Sequence, residues 1–458
     1  MDRNRCELLA TGLDEYGAGV GVASELRLHV PELLPGERGL VQIQHRSPHR
    51  GEAWGTLLRL VGPASRDRVP TACPAFGACG GCAWQHLSYP AQLEQKQRRV
   101  VAALASYSAT AALVVPAVRP APATLGYRNK GKYVVGASGD RLVLGAYQPR
   151  THTLIATTGC QVVAPVIDEL AEWTRGAAQA AQVEPYSEKN TSGELRYVVI
   201  RANRANDALV TLVVTSAAEL AKLHRVAATL AKHPAVRGVV AVTNDRRDGA
   251  ILPIGSTTTV LQGEGTLAES FAGTTVHLGA VEFMQVNVLQ AEALYGFVAD
   301  CIEPCAGRHV IDLYAGLGGI TLHLAQRGAN VTAIEVESAA IEALRLAAAS
   351  AGLVINAHVG TAASVATTAS NAASPPDVVV VNPPRKGLDG ATRAALLEVN
   401  PRQLVYVSCG PDSLAADLAF LIEHGYAVDV VQPFDLMPHT AQVETVVALR
   451  RRAPDIGC

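Results

Sequence analysis

The sequence predicts an α/β protein in three parts, whose C-terminal part is a doubly wound parallel sheet. Three observations lead to this prediction. Apolar strands alternate with helical runs from about residue 283 onward, a Gly-rich turn follows the first of these strands, and Gly- and Pro-punctuated strands fill residues 1–62. At 458 residues the chain is long enough for two or three separate cores.

The bulk composition is that of a globular protein. Hydrophobic residues make up 49% of the chain and charged residues 17%. Apolar runs stay short of the roughly 18–20 residues of a membrane span, so we expect no membrane partner. The charged N-terminal stretch has no signal-peptide core, which predicts a cytoplasmic protein, and we expect a monomer. The nine cysteines are then better explained as metal ligands, nucleophiles or filler than as disulfides.

Charge is distributed unevenly along the chain. Residues 1–150 contain 18 Lys and Arg against 11 Asp and Glu, whereas the remainder contains 21 against 30. An anionic partner would therefore meet the front third, unless the asymmetry is chance variation of a protein surface.

Residues 1–62 have the pattern of a small OB-type β-barrel. Short apolar stretches alternate here with glycine and proline. The segments 33–37 and 41–43 resemble the TRAM domain, an RNA-binding module, and a β-barrel of no particular function is the alternative.

The central region mixes strands and helices. Residues 91–104 are predicted to form a helix that carries Lys96, Arg98 and Arg99. The stretch 127–132 (Tyr-Arg-Asn-Lys-Gly-Lys) is the most basic of the region. Its tyrosine could stack on a base while the cations hold phosphates, or the stretch could be an ordinary solvated face.

The C-terminal region begins with a nucleotide-cofactor pattern. We predict strands at 308–313, 330–335, 377–381, 403–408, 426–431 and 443–449. The first strand carries Asp312 and leads into a turn that contains Gly316, and we predict that both residues bind the cofactor. Glu335 ends the next strand, placed to accept from ribose hydroxyls. This spacing fits NAD or S-adenosylmethionine, or a turn without ligand. The Asp-x-x-x-Gly-x-Gly form and a later Asn-Pro-Pro favour S-adenosylmethionine.

Two strand ends carry the reactive residues. Asn382 begins a stiff Asn-Pro-Pro-Arg turn, and Cys409 follows the next strand, where α/β enzymes place their chemistry. Cysteine is a strong nucleophile, although a lone cysteine is most often a small buried hydrophobe.

Three segments together resemble the RNA uracil-5-methyltransferase family. They are 382–387, 407–411 and 438–444, and the likeness extends over nearly the whole chain, including the front barrel. The resemblance implies that Cys409 is the nucleophile and Glu444 the base that removes the C5 proton. It also implies that Gln285, Tyr314, Glu335 and Asn382 contact the cofactor or the uracil. The implied fold is a Rossmann-like class I methyltransferase domain with a TRAM barrel and an α+β central domain.

Three positions depart from the family pattern. The family usually has Asp at the position of Asn382 and often has Asn at the position of Gly319, and an acid commonly stands where this chain has Thr361. These departures concern the cofactor contacts more than the reaction.

The chemistry accounts for one cysteine and one carboxylate. C5 of uracil is a weak carbon nucleophile, and thiolate addition at C6 turns it into an enolate. A base must afterwards remove the C5 proton so that the thiol can leave. The target uridine must also leave its stack to reach the thiol.

Three closely spaced cysteines, Cys73, Cys79 and Cys82, indicate a metal site. Their spacing fits zinc or an iron–sulfur cluster. By the resemblance, one branch of the family has this string, adds a fourth ligand that matches Cys160, and binds [4Fe–4S]. Cys6, Cys301, Cys305 and Cys458 match no motif.

The resulting domain prediction has three parts. A TRAM domain covers 1–62, a central iron–sulfur domain covers 63–84 and 125–282, and a methyltransferase domain covers 85–124 and 283–458. We expect methylation of uridine C5 in RNA, with ribosomal RNA favoured over transfer RNA. The alternatives are an amino-group methyltransferase acting on adenine or protein, and a non-catalytic RNA-binding relative.

Overall fold

A computed structural model describes residues 4–253, 255–370 and 375–452 of the chain. Cys458 lies outside these residues. Within them, no helix combines the length and the apolar character that crossing a bilayer requires.

The N-terminal part is a six-stranded sheet. Its strands are β1 (Arg5–Leu9), β2 (Gly12–Leu13), β3 (Gly19–Ala23), β4 (Leu26–Val30), β5 (Arg38–Arg46) and β6 (Glu52–Leu60). They lie in the order β1-β5-β6-β4-β3-β2, with only β4 and β6 parallel. Leu8, Leu28 and Val41 form part of its buried core. This strand-rich unit is the one predicted from the glycine and proline spacing.

A cysteine-bearing segment and helix α1 (Tyr89–Leu104) follow, and then a larger mixed unit. Its elements are β7 (Lys130–Ser138), β8 (Arg141–Tyr147), β9 (Leu154–Ala156), α2 (Pro165–Ala180), β10 (Leu195–Ala202), β11 (Ala208–Val214), α3 (Leu220–Leu230), β12 (Val236–Thr243) and β13 (Thr258–Gly263). The strands form one sheet in the order β13-β12-β11-β10-β7-β8-β9. A separate hairpin joins β14 (Leu267–Phe271) to β15 (Thr274–Leu278).

The C-terminal part is the predicted doubly wound unit. Its elements are α4 (Val288–Asp300), β16 (His309–Leu313), α5 (Gly319–Gln326), β17 (Asn330–Glu335), α6 (Ser338–Ser350), β18 (Ile355–Val359), a 3₁₀ turn (Ala362–Ser364), α7 (Val365–Ser370), β19 (Val378–Val381), α8 (Gly390–Val399), β20 (Gln403–Ser408), α9 (Pro411–Glu423), β21 (Tyr426–Phe434) and β22 (Glu444–Arg451). The strand order is β18-β17-β16-β19-β20-β22-β21.

Strand direction within this last sheet decides where the reactive side chains meet. The strands from β18 to β20 are parallel, and β22 is antiparallel to both of its neighbours. The first residue of β22 therefore lies at the edge where β19 and β20 end. Reactive groups from the end of one strand and the start of another are thus brought to one edge.

Helix α1 belongs to this C-terminal unit in space, although it precedes the unit by almost two hundred residues in sequence. It packs beside α9 and buries the row Gln92, Lys96, Val100 and Leu104. The sequence predicted the helix, but not that its lysine lies on the buried side.

The basic stretch after α1 is partly held by internal hydrogen bonds. The Tyr127 hydroxyl donates to the Pro438 carbonyl (3.1 Å) and accepts from the Arg128 guanidinium (3.2 Å). These contacts tie Tyr127 to the C-terminal unit, and both interpretations of the stretch stay predictions.

Candidate active site

Cys409 and Glu444 lie next to each other on neighbouring strands. Ser408, the last residue of β20, pairs with Thr445 of β22. Cys409 comes directly after Ser408 and Glu444 directly before Thr445, so the two stand at the next position of the same antiparallel register. Residues paired in this way have Cα atoms roughly 4.5–5.5 Å apart. The sequence-predicted nucleophile and base are thus brought together by backbone geometry.

The surroundings disfavour charge on both groups. Burial and the neighbouring charge of Glu444 raise the pKa of the Cys409 thiol to about 11. Burial likewise raises the pKa of the Glu444 carboxyl to about 8. Both groups are therefore held mainly neutral at pH 7, and a nearby cation would favour ionisation of each.

Arg385 supplies that cation. Its positive charge lowers the pKa of Cys409 and of Glu444, against the larger effect of burial. Its guanidinium donates to the side-chain oxygen of Gln442 at 2.6 Å. The arginine ends the Asn-Pro-Pro-Arg turn and is itself exposed. The turn after β19 therefore delivers a charge to the pair formed by β20 and β22.

Asn382 begins the same turn. It is half-buried, and its backbone N–H donates to the carbonyl of Leu313 at 3.3 Å. This contact places the turn beside the end of β16, next to the Gly-rich loop. The predicted cofactor loop and the predicted base-binding turn are thus neighbours.

The Gly-rich loop turns sharply between β16 and α5. Tyr314, Gly316 and Gly318 all have positive φ, at 61°, 54° and 82°. A Cβ on Gly318 would lie 2.1 Å from the Leu344 side chain, whereas one on Gly316 would meet nothing within 4 Å. The loop is therefore tight on its inner side and open at Gly316, which leaves the backbone there accessible to a ligand.

Glu335 holds the loop from the next strand. Its Oε2 accepts from the Gly316 N–H at 2.9 Å, and its Oε1 accepts from the N–H groups of Val336 and Glu337. The carboxylate therefore sits at the mouth of the loop, where the sequence predicted a ribose contact.

Asp312 is placed differently from the other predicted cofactor residues. It is buried, and its Oδ2 accepts from the Thr321 hydroxyl at 2.6 Å. Burial raises the pKa of this carboxyl to about 7. Its side chain supports the loop from below and is not open to a ligand.

Gln285 has a tyrosine partner that the sequence did not reveal. The Tyr295 hydroxyl hydrogen-bonds the Gln285 side chain, and burial together with the charges of Glu444 and Asp312 raises the tyrosine pKa. A Cβ on Gly319 would lie 2.6 Å from the Tyr295 ring. The ring thus occupies the space beside the glycine, one of the positions that depart from the family pattern.

The remaining departure is Thr361, which is exposed just after β18. The neighbouring Gly360 N–H donates to the Glu335 carbonyl at 2.9 Å. The Thr361 hydroxyl therefore lies close to the end of β17, at the edge of the Gly-rich loop.

Four cysteines border one cavity of about 140 Å³ between the cysteine-bearing segment and the central sheet. They are Cys73, Cys79, Cys82 and Cys160, and Arg128, Lys130 and Lys132 line the same cavity. Burial lowers the pKa of Lys130 to about 7. In the described parts of the chain, no group of three or more His, Cys, Asp and Glu side chains is placed so that it could hold a metal ion. The predicted ligands thus share a cavity without converging on one point.

The sequence analysis did not assign a place in the site to Gln442 or to Lys96. Gln442 lies within the segment 438–444 that carries the family resemblance, but only the contact with Arg385 shows its role. Lys96 stands four residues from both Gln92 and Val100, so helical spacing could have placed it on the buried row.

Comparisons with known proteins agree with this geometry. A family model described as tRNA (uracil-5-)-methyltransferase matches residues 374–452, which include Asn382, Cys409 and Glu444. A second model, described as conserved hypothetical protein 95, matches residues 289–412.

Full-length relatives carry the same kind of description. An uncharacterized RNA methyltransferase from Halalkalibacterium halodurans is 33% identical over 97% of this chain and 96% of its own length. One from Oceanobacillus iheyensis is 32% identical over 95% and 94%. The crystal structure of the Pyrococcus abyssi tRNA (uracil-54, C5)-methyltransferase with S-adenosyl-L-homocysteine superimposes with a TM-score of 0.76. It covers 97% of this chain and 100% of its own, at 23% identity, and so shares the fold.

Proposed function

The chain belongs to the RNA uracil-5-methyltransferase family, whose members use S-adenosylmethionine, and we propose that it methylates a uridine at C5 through Cys409 and Glu444. One observation carries this proposal. Cys409, directly after β20, stands opposite Glu444, the first residue of β22, and Arg385 acts on both.

Each residue has a defined role in the proposed reaction. The Cys409 thiolate forms a bond to C6 of the uracil, and the electrons of the C5=C6 bond move toward O4. C5 would then form a bond to the methyl carbon as the bond from that carbon to the sulfonium sulfur of S-adenosylmethionine breaks, which would leave S-adenosylhomocysteine. Glu444 removes the proton left on C5, the C5=C6 bond re-forms, and the sulfur leaves as thiolate. The cation of Arg385 lowers the pKa of Cys409 and so favours the attacking thiolate.

The Gly-rich loop is the proposed site of S-adenosylmethionine. The open backbone at Gly316 and the Glu335 carboxylate behind it suit a ligand with hydroxyl groups. We propose that Gln285, Tyr314 and Asn382 complete the contacts. When bound there, S-adenosylmethionine supplies an electrophilic methyl group. Asp312 keeps the loop in shape through Thr321.

We also propose that the four cysteines hold a [4Fe–4S] cluster. Four thiols are the donor set that such a cluster takes. The cations Arg128 and Lys132 in the same cavity suit a group of net negative charge, and the Gly81 N–H already donates to the Cys79 sulfur at 3.4 Å. Holding the cluster requires the four thiols to turn toward one centre. The cluster would stabilise the cysteine-bearing segment rather than take part in the methyl transfer.

Ribosomal RNA is the proposed substrate, recognised in part by residues 1–62 as a TRAM domain. The combination of this N-terminal sheet with a four-cysteine cavity resembles the ribosomal branch of the family. Transfer RNA is the second candidate, because the matching family model and the superimposed P. abyssi enzyme both bear tRNA names. The cytoplasmic location and the monomeric state stay predictions from the sequence.

Nucleoside mass spectrometry of RNA from a deletion strain tests both reaction and substrate. We expect 5-methyluridine to disappear from ribosomal RNA, and its loss from transfer RNA alone would identify the second candidate. Wild-type protein and the control Cys301→Ala should restore the nucleoside, whereas Cys409→Ala should not. Restoration by Cys409→Ala would overturn the proposed mechanism.

A further inference from the structure

The segment that leads into Glu444 is held by its carbonyl groups. We call residues 435–443, between β21 and β22, the entry loop. Four consecutive carbonyls of this loop accept hydrogen bonds from other parts of the chain. The donors are Asn287 Nδ2 to Leu436 (3.2 Å), Lys96 Nζ to Met437 (3.0 Å), the Tyr127 hydroxyl to Pro438 (3.1 Å), and the N–H groups of Ala83 and Trp84 to His439 (2.9 Å each).

Lys96 and Asp435 form the most deeply buried part of this attachment. Both side chains are fully buried, and Nζ lies 2.5 Å from Asp435 Oδ1. The same Oδ1 accepts from the Met437 N–H at 3.0 Å, while Nζ donates to the Met437 carbonyl. The pair therefore holds both backbone polar groups of Met437, which fixes the orientation of the loop at that residue.

Stability alone does not account for such a pair. Removing two charges from water is costly, and an apolar pair of similar volume is often as stable or more so. A buried ion pair does, however, fix one arrangement of the chain, because any displacement leaves a charge unpaired. In the described structure, the arrangement that it fixes is that of the entry loop.

The entry loop in turn positions the proposed reactive groups. His439 has φ of 65°, a left-handed conformation, and its N–H donates to Gln92 of α1 at 2.8 Å. Gln442, three residues after His439, accepts a hydrogen bond from the Arg385 guanidinium. Glu444 follows two residues later. A shift of the loop would therefore move the arginine partner and the carboxyl together.

We infer that Lys96 and Asp435 are positioning residues for the methylation reaction, because they fix the entry loop and thereby set Glu444 and Arg385 against Cys409. This inference rests on the proposed function. Neither residue is exposed, so neither touches RNA. Misplacement of catalytic groups by about 1 Å costs up to roughly 10²-fold in rate.

The test replaces the pair by neutral groups of similar size, Lys96→Met with Asp435→Asn. The asparagine still accepts from Met437, and the methionine cannot donate. We expect kcat to fall about 10- to 100-fold, with the KM for RNA and the KM for S-adenosylmethionine unchanged. Hydrogen exchange should rise in residues 435–443 and stay slow in the β20–β22 ladder. A role in stability alone would instead change exchange throughout the C-terminal sheet.

A matched control removes an ion pair from the solvent face of the same helix. Glu94 and Arg98 are 66% and 69% exposed and lie 3.8 Å apart. Glu94→Gln with Arg98→Met should keep the wild-type kcat. If the buried double variant does not fold, Lys96→Gln with Asp435→Asn replaces it, since glutamine keeps hydrogen-bonding groups in the buried site but carries no charge.

Failure of this inference and failure of the proposed function have different outcomes. Wild-type kcat in the folded buried variant, together with an inactive Cys409→Ala, would overturn the positioning role alone. Turnover by Cys409→Ala would overturn the proposed function itself.

Discussion

Arg385 and Gln442 are joined by a 2.6 Å hydrogen bond from the guanidinium of the first to the side-chain oxygen of the second. This contact ties the turn after β19 to the entry loop before β22. The charge of the same arginine lowers the pKa of both Cys409 and Glu444. The position of one cation thus affects the ionisation of both proposed reactive groups.

Replacing Arg385 by Gln should shift the pH dependence of the reaction. Without the positive charge the pKa of Cys409 rises further above 11, so less thiolate is present at any lower pH. A rise of one pKa unit lowers the thiolate fraction about tenfold. We expect kcat/KM to fall by about that factor between pH 7 and 9. The control is Arg402→Gln, an exposed arginine at the other end of β20.

Replacing Glu444 by Gln should separate thiol reactivity from turnover. The charge of Glu444 raises the pKa of Cys409, so its removal should increase the thiolate fraction and speed alkylation by iodoacetamide at pH 8–9. Methylation should fall about 10²- to 10⁴-fold, because the C5 proton has no base. Slower alkylation than in wild type would contradict the assigned electrostatics. Glu423→Gln, at the exposed end of α9, is the control.

Activity of the wild-type enzyme should rise with pH through about 8. Glu444 must be ionised to accept a proton, and burial raises its pKa to that value. The pH profile of kcat/KM at saturating S-adenosylmethionine measures this directly. A profile already flat from pH 6 upward would show that the carboxyl is ionised in a more polar setting.

Asp312→Asn should stabilise the protein at neutral and alkaline pH. The carboxyl pKa is about 7 in the folded chain and ordinarily 3.8, so the folded state holds the proton more tightly. Its contribution to stability is present below about pH 4 and is lost as the pH rises toward 7. The full loss is on the order of 4 kcal/mol. Urea unfolding should give the variant a higher free energy of unfolding than wild type at pH 8.5 but not at pH 4.5.

Alanine should reduce the stability of the protein less at Gly316 than at Gly318. At Gly316 a Cβ meets nothing within 4 Å, so alanine costs only the strain of a left-handed backbone conformation, about 1–2 kcal/mol. The added methyl group would also reduce the space for the ligand beside the loop. At Gly318 the Cβ would also lie 2.1 Å from Leu344, so the loss of stability should be larger. Calorimetry with S-adenosylmethionine and urea unfolding measure the two effects. Equal losses of stability would contradict the assigned packing.

Cys82→Ser should abolish the proposed cluster, whereas Cys301→Ser should leave it intact. Anaerobically purified wild-type protein should contain about four iron and four sulfide per chain and absorb visible light. A colourless protein with one zinc per chain would contradict the cluster and would indicate a structural zinc site instead. Cys301 is a suitable control because it lies outside the cavity that the four other cysteines share.

Much of this site could be predicted because its parts are local in sequence. Asn382 and Cys409 each follow a strand of apolar residues, and the Gly-rich loop follows another. The strands 330–335 and 403–408 have the bounds predicted for them, and β21 continues three residues beyond its predicted end. The bounds of β18 were not among those predicted, because the polar residues Asn356 and His358 interrupt its apolar pattern.

The remainder depends on contacts between residues far apart in the chain. Lys96 and Asp435 are separated by 339 positions, and Tyr127 and Pro438 by 311. Helical spacing places Lys96 on a buried row but does not name the carboxylate that meets it. A basic stretch such as 127–132 gives no sign in sequence of whether it faces RNA or the interior.

The burial of Lys96 against Asp435 also determines how late in synthesis the active site can become ordered. Helix α1 is complete long before the ribosome reaches Asp435, and until then the Lys96 ammonium stays hydrated, without its partner. Domains near the N-terminus generally fold first. The entry loop can adopt its final geometry only after nearly all of the chain has been made. A prematurely terminated chain could contain every strand up to β20, and Cys409 with them, and would still lack an ordered site.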